Sequence, residues 1–328
     1  MSDPETAADQ KPPARIEPSA EARLWAIVLA GGEGMRLRPL TRRVCGDERP
    51  KQYAALVGSR SLLRQTLDRV LLAVPPRKTV LVTLRQHARY IAAEFTGSPR
   101  PSVLIQPEDR GTAAGVLFPA SWISWQDPEA VVAVFPSDHF ILEEAAFMRH
   151  VVEVADVVRR HPEWLVLLGA RPTEPEPEYG WIEPGEPLGA GATAPLRRVR
   201  RFREKPPAET ARAYLAEGWL WNTFVFVATA RTLLEAGRRL LPRLADRLAR
   251  IAPFAGTEDE PWAVQQAYAL APRANFSREV LEPCPSFLAV SRLPALTWSD
   301  WGTPERVVKS LRGVGISPSW LAATEHPA

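Results

Sequence analysis

The stretch from Leu24 to Gln52, LWAIVLAGGEGMRLRPLTRRVCGDERPKQ, restricts what this chain can fold into more than any other segment. It opens with an unbroken apolar run, Leu24 to Ala30, which reads as a strand buried on both faces of a parallel sheet. Gly31, Gly32 and Gly34 end the run and let the backbone turn sharply, bringing its N–H groups close to a ligand. Cations follow at Arg36, Arg38, Arg42, Arg43 and Lys51. A glycine turn followed by fixed positive charge offers a polyphosphate both donors and counter-charge. Two familiar glycine loops are excluded. A dinucleotide fingerprint needs a third glycine where Leu37 stands, and no Gly-Lys-Ser/Thr closes the turn as a P-loop requires.

Downstream, strand and helix patterns alternate. The pattern predicts strands at 79–84, 102–105, 130–135 and 164–169, and helices at 87–95, 112–124 and 143–160. A further helix begins near Leu62 behind a Ser61 cap. Alternation of this kind predicts an α/β fold whose sheet is mainly parallel and flanked by helices. The second half is less regular. Residues 172–195 read as a loop around a short strand, Tyr179 to Ile182. Residues 196–203 read as an antiparallel strand, 222–228 and 287–290 as strands, and 207–217, 230–240, 260–271 and 304–312 as helices. No repeat or linker divides the chain. The expected organisation is a disordered tail at 1–22, one domain at 23–315 and a short tail at 316–328.

Composition excludes several classes. With 45% hydrophobic residues over 328 positions, the chain can bury a large core. The net charge of +3 is small and no run of like charge stands out, so nucleic acid is not an expected partner. No apolar run reaches the roughly 20 residues that span a bilayer, and no signal peptide is seen, so no membrane is expected. Two cysteines, Cys45 and Cys284, make neither a disulfide framework nor a metal spacing, which points to a reducing, cytoplasmic setting. Lysine is scarce, yet Lys51 and Lys205 both fall in motifs.

Two acids follow buried segments. Asp138, in Phe135-Pro136-Ser137-Asp138-His139, comes just past the strand at 130–135, at the carboxyl edge where open α/β sheets bind ligands. Asp300 lies in Trp298-Ser299-Asp300-Trp301-Gly302-Thr303-Pro304. The plain alternative for each is a helix cap or turn residue. His139 reads as structural.

The glycine stretch resembles the signature of the sugar-1-phosphate nucleotidylyltransferases, G-G-x-G-x-R-L-x-P-L-T followed by Pro-Lys. Gly31, Gly32, Gly34, Arg36, Leu37, Pro39, Leu40 and Thr41 match it, as do Pro50, Lys51 and Gln52. The Pro-Lys-Gln ending is most similar to that of the mannose-1-phosphate guanylyltransferases. Further segments match in family order from about 24 to 315.

The resemblance implies a Rossmann-like nucleotide-diphospho-sugar transferase fold of the GT-A type. It implies transfer of a nucleotidyl group from an NTP to a sugar 1-phosphate with release of pyrophosphate. GTP and mannose 1-phosphate are favoured. UTP or dTTP with glucose 1-phosphate is the sister alternative, and a catalytically silent sensing subunit is the alternative of another class. It further implies Arg36 and Lys51 as catalytic cations. Leu29, Ala30, Gly31, Gly32, Gly34, Gln106, Gly111 and Thr112 would meet the nucleotide. Tyr179, Gly180, Glu204, Lys205 and Asn222 would meet the sugar phosphate, and Asp138 and Asp300 would hold Mg²⁺. A homodimer is compatible with it. Added β-helix or cupin-like modules known in the family would not fit within this length. Three departures stand out: Gly111 where guanylyltransferases usually carry Asn, Phe224 where the family has Gly, and an eroded segment from Phe276 to Glu282.

Overall fold

The computed structural model describes residue 16 and residues 23–95, 100–188 and 195–322. The tail expected at 1–22 lies outside the described residues apart from Ile16, whose backbone N–H bonds Leu72 O at 2.7 Å.

The first half follows the alternation. Strand β1 (Leu24–Leu29) runs into the glycine loop and helix α1 (Arg38–Cys45), and α2 (Leu62–Leu71) follows. Ser61 caps α2 by accepting the Arg64 N–H at 3.0 Å. Then come β2 (Thr79–Leu84), α3 (Ala88–Glu94), β3 (Ser102–Gln106), α4 (Gly111–Gln126), β4 (Val131–Pro136), the two-residue β5 (Phe140–Ile141), α5 (Glu144–Arg160) and β6 (Leu165–Ala170). The apolar runs of β1, β2, β4 and β6 are buried almost throughout, as strands covered on both faces must be.

The second half adds β7 (Gly180–Leu188), β8 (Leu196–Glu204), α6 (Ala208–Ala216), β9 (Leu220–Thr229), α7 (Ala230–Leu240), α8 (Pro242–Ala249), α9 (Glu260–Ala269), β10 (Leu288–Arg292), the two-residue β11 (Trp298–Ser299), α10 (Pro304–Gly313) and α11 (Ser319–Ala322). Among the described residues nine strands form one sheet in the order β3-β2-β1-β4-β9-β6-β10-β8-β7, with β9 also pairing β7. The β3-β2-β1-β4 half is parallel, whereas β9, β8 and β7 pair antiparallel with all their neighbours. One apolar cluster lies on each face of the sheet, around Phe147 and Trp181 on one side and Phe118 and Tyr268 on the other.

Three expectations need correction. The loop expected around Tyr179–Ile182 is a nine-residue strand paired with β8. Its Pro184 and Pro187 sit at shifts of the ladder register, where a missing N–H costs no hydrogen bond. Helix α8, absent from the expected elements, starts with Pro242 at the first helical position, where proline is at home. Residues 316–321, expected as a tail, pack against the domain: Leu321 is buried and the Trp320 indole N–H bonds Leu56 O at 2.8 Å.

Candidate active site

The glycine loop opens a cleft of about 650 Å³ at the carboxyl ends of β1, β2 and β3. Leu29, Gly31, Gly32, Gln106, Gly111 and Thr112 line it together. Ala30 and Gly34 do not; they build the loop. Gly34 is left-handed (φ 59°), and a Cβ there would lie 2.9 Å from the Lys51 backbone N. The loop is braced from behind. Gln52 Nε2 donates to Ala30 O (3.1 Å) and Gly32 O (2.7 Å), and the Tyr53 hydroxyl donates to Ala30 O (3.0 Å). Gln52 therefore acts on loop shape from a buried position. On the far wall, Tyr268 donates to Gln106 Oε1 at 3.0 Å, turning the Gln106 amide towards Gly31. The Thr112 hydroxyl accepts the Phe276 N–H at 2.9 Å and so fastens the 276–282 segment to the cleft.

Gly111 has no substitute in this framework. Its φ is +81°, and a Cβ would fall 2.2 Å from Ala274 O. Any side chain, including the asparagine usual in guanylyltransferases, must push that backbone away. Gly111→Ala is expected to lose about 2–3 kcal/mol of stability, the upper range for a strained backbone position. A urea titration at constant m-value measures it, and a loss below about 0.5 kcal/mol would mean that the 274 backbone yields freely.

A second patch forms where β7 runs between β8 and β9. Gly180 pairs with Glu204 on one side and Asn222 on the other. A Cβ on Gly180 would meet Glu204 Oε2 at 2.8 Å and Asn222 Cβ at 3.1 Å, so the glycine makes room for both side chains. Burial raises the Glu204 carboxyl above its ordinary value, with the Lys205 charge working the other way. Asn222 Oδ1 accepts the Phe224 N–H at 3.1 Å. Phe224 keeps the left-handed backbone that a glycine would favour (φ 56°), while its ring packs edge-on to Phe226 and Phe276. The eroded segment still contributes: Glu282 pairs with Arg203 at 3.1 Å beside the motif.

The acids converge through β5 and β11. Phe140 pairs with Ser299 and Ile141 with Trp298 in an antiparallel ribbon, which carries Asp138 and Asp300 to one place. Lys51 Nζ lies 3.3 Å from Asp138 Oδ2 and donates to the carbonyls of Asp300 and Trp301. Asp300 Oδ1 accepts from Tyr179 OH (2.6 Å), Arg306 Nη1 (2.8 Å) and Gly302 N (2.9 Å). Burial would raise the Asp300 carboxyl, but Lys51, the Tyr179 hydrogen bond and Arg306 outweigh it and hold it below the usual carboxylate range. Burial raises the Tyr179 phenol, helped by the Asp300 charge, so Tyr179 stays a donor. His139 is buried, which lowers it to about 4 and keeps it neutral; its Nδ1 accepts the Trp298 indole N–H at 3.3 Å across the ribbon.

The remaining cations meet over a loop of alternating acids. Glu178 contacts Arg36 Nη1 at 2.9 Å and Lys205 Nζ at 3.7 Å, so one carboxylate joins two cations that are far apart in sequence. Glu176 pairs with Arg306 (3.1 Å) and Glu174 with Lys309 (2.6 Å). The residues thus regroup: Lys51 sits with the two aspartates, and Arg36 sits with Lys205. Arg306, Glu178, Tyr53 and Tyr268 belong to the site without standing out in the sequence. The alternation Glu174-Pro175-Glu176-Pro177-Glu178 is the visible signal for the acidic loop.

The donor set suits a hard divalent cation. Asp138 and Asp300 offer oxygen only, and among the described residues no group of three or more His, Cys, Asp and Glu is placed to hold a metal ion by itself. Magnesium is usually held by one or two carboxylates plus substrate phosphates and water, which two aspartates beside a polar cleft match.

Together these features describe an α/β sheet with a glycine-loop cleft and a pair of acids at its carboxyl edge. The chain belongs to the nucleotidyl transferase family, which it matches over residues 25–312. It is 35% identical over 283 residues to the xanthan biosynthesis protein XanB of Xanthomonas campestris pv. campestris, across 84% of this chain and 57% of that protein. It is 32% identical over 236 residues to mannose-1-phosphate guanylyltransferase of Escherichia coli, across 69% of this chain and 47% of that protein. The chain spans about half the length of the curated relatives it matches. A solved structure, described as mannose-1-phosphate geranyltransferase from Thermus thermophilus, shares the fold with a TM-score of 0.74 and 31% identity over 87% of this chain and 79% of that one. No helix among the described residues is long and apolar enough to cross a membrane.

Proposed function

We propose that residues 23–315 form a catalytic unit that transfers a nucleotidyl group from an NTP to a sugar 1-phosphate and releases pyrophosphate. The nucleotide is held by Gly31, Gly32, Gln106 and Gly111, and the sugar by Gly180, Glu204 and Asn222. The observation that carries this reading is the Glu178 bridge: a single carboxylate between Arg36 and Lys205 marks where an anion is at home between the two patches. A phosphate oxygen of the sugar 1-phosphate attacks the α-phosphorus of the NTP and the bond to pyrophosphate breaks. The nucleophile is already an anion, so no general base is needed. What the protein supplies is positioning and neutralised charge. Arg36 faces the phosphates of the NTP, Lys205 the sugar phosphate, and Lys51 holds the two aspartates in register. Asp138 and Asp300 would hold a magnesium ion, which would supply further positive charge to the phosphates.

GTP and mannose 1-phosphate are the proposed pair. The names of the relatives support it more directly than Gln52 does, since that side chain is spent on the loop. Pyrophosphate release measured over five NTPs and a panel of hexose 1-phosphates tests the choice. A tenfold preference for UTP or dTTP would remove it and leave the reaction class standing.

Glu178 competes with substrate phosphate for two cations. Its side chain and both cations are about half exposed, so the contacts are worth at most about 1 kcal/mol. Glu178→Gln is expected to lower KM for the sugar 1-phosphate by roughly two- to fivefold with kcat little changed. Lys205→Ala is expected to raise the same KM at least about tenfold while NTP affinity, read by titration calorimetry, stays within about twofold. A large loss of NTP affinity would move Lys205 to the nucleotide side.

A further inference from the structure

We propose a second anion site, separate from the glycine cleft, that takes a phosphorylated sugar against Arg171 and Arg292. Both arginines line a cleft of about 770 Å³ at the carboxyl ends of β6 and β10, with Trp221 and Trp298 in its wall. The strands are parallel neighbours with Arg292 opposite Gly169, and Arg171 follows two residues beyond Gly169. The two cations therefore leave adjacent strands at the same end, the end at which open α/β sheets bind ligands.

Their charge is uncompensated. Among the described residues the guanidinium groups of Arg171 and Arg292 have no ion pair or hydrogen bond, although Arg36, Arg203 and Arg306 each pair with an acid. Among the described residues no carboxylate lines this cleft. Glu143 reaches its rim at Thr297 but is spent on that residue's N–H (2.6 Å) and hydroxyl (3.4 Å). Guanidinium groups match phosphate oxygens in a fork geometry, which makes two free arginines a phosphate site before any other.

The wall points to a sugar. Trp221 is only 6% exposed, and its indole N–H has no partner among the described residues. That nitrogen is sealed off from the cleft, so Trp221 offers the cleft its ring alone. Trp298 adds a half-buried aromatic surface of the kind that covers the C–H face of a pyranose. Trp221 and Asn222 are successive residues of β9, so their side chains leave opposite faces. Arg292 stands in register with Asn222 through Gly169, so the cleft adjoins the sugar patch, although none of Gly180, Glu204 and Asn222 lines it.

Direct binding without NTP tests this independently of the catalytic proposal. Titration calorimetry with mannose 6-phosphate, which lacks the 1-phosphate of a substrate, is expected to show saturable binding to the full chain. Arg171→Gln/Arg292→Gln is expected to weaken it at least about tenfold with an unchanged melting temperature, since both side chains are exposed. Unphosphorylated mannose is expected to bind at least about tenfold more weakly, and Lys205→Ala to bind mannose 6-phosphate within about twofold of wild type. Absence of binding up to about 10 mM overturns the proposal. So does loss of binding in Lys205→Ala with retention in the double variant, which places the ligand in the catalytic cleft. Inorganic phosphate binding as tightly as mannose 6-phosphate overturns the assignment of a sugar ligand.

Discussion

Arg36→Ala is expected to lose at least about 10³-fold in kcat/KM, the lower bound of what an arginine clamp contributes in phosphoryl chemistry. Arg36 stands two residues after the left-handed Gly34, in a short helical turn that feeds α1. The loop beneath it is fixed by Gln52 and Tyr53, so its backbone position is set before any ligand arrives. Its side chain is half exposed and among the described residues pairs only with Glu178, so removing it should shift stability by less than about 0.5 kcal/mol. Arg36→Lys keeps the charge and loses the fork, and should fall between the two, roughly 10- to 100-fold below wild type. Steady-state kinetics beside a melting curve checks this. Near-normal turnover of the alanine variant would take Arg36 out of the reaction.

The acid pair gives the second large effect, and here the two variants should differ in a way that local sequence does not suggest. Asp138→Asn and Asp300→Asn are each expected to cut kcat at least about 10²-fold, because each removes a full negative charge from the proposed metal site. Their stabilities should diverge. Asp138 contacts Lys51, which keeps two carbonyl partners when the charge is gone, so its loss should stay below about 1 kcal/mol. Asp300 receives three hydrogen bonds on one oxygen, one of them from Arg306, whose side chain is 13% exposed. Asparagine preserves the acceptor but leaves Arg306 with Glu176 alone, at a cost of about 1–2 kcal/mol. The double variant should turn over little more slowly than the worse single one, since groups acting on one ion are not additive. Magnesium titrations of kcat beside melting curves decide it. A variant that melts early but turns over normally would make its aspartate a structural residue.

Much of the parallel half could be read locally. Apolar runs such as Leu24–Leu29 and Val131–Pro136 are long enough to report their own burial, and the glycines after β1 announce a turn wherever the chain goes next. The antiparallel half hid itself. The prolines of β7 look like loop chemistry until the partner strand shows that they sit at register shifts. The ribbon between β5 and β11 is too short to carry a period at all, yet it is what brings Asp138 and Asp300 together. The main partners of Lys51 are backbone carbonyls, and no sequence pattern encodes a carbonyl. Three left-handed non-glycine residues, Lys205, Phe224 and Trp301, lie beside the candidate site, where tertiary packing overrides local preference.

The β5–β11 ribbon also sets an order of assembly. It closes a loop of most of the second half of the chain, so its entropy must be met before its two residue pairs repay anything. The strands around the glycine loop, β1 to β4, are all made by residue 136, whereas β11 is made only at residues 298–299. A growing chain thus acquires its glycine-loop strands long before it can join its two acids. In the finished protein the same contact should be among the first to open. Amide exchange at Phe140 and Ser299 would run faster than at Ile27 or Val134, and each opening would idle the acid pair while the sheet stays folded.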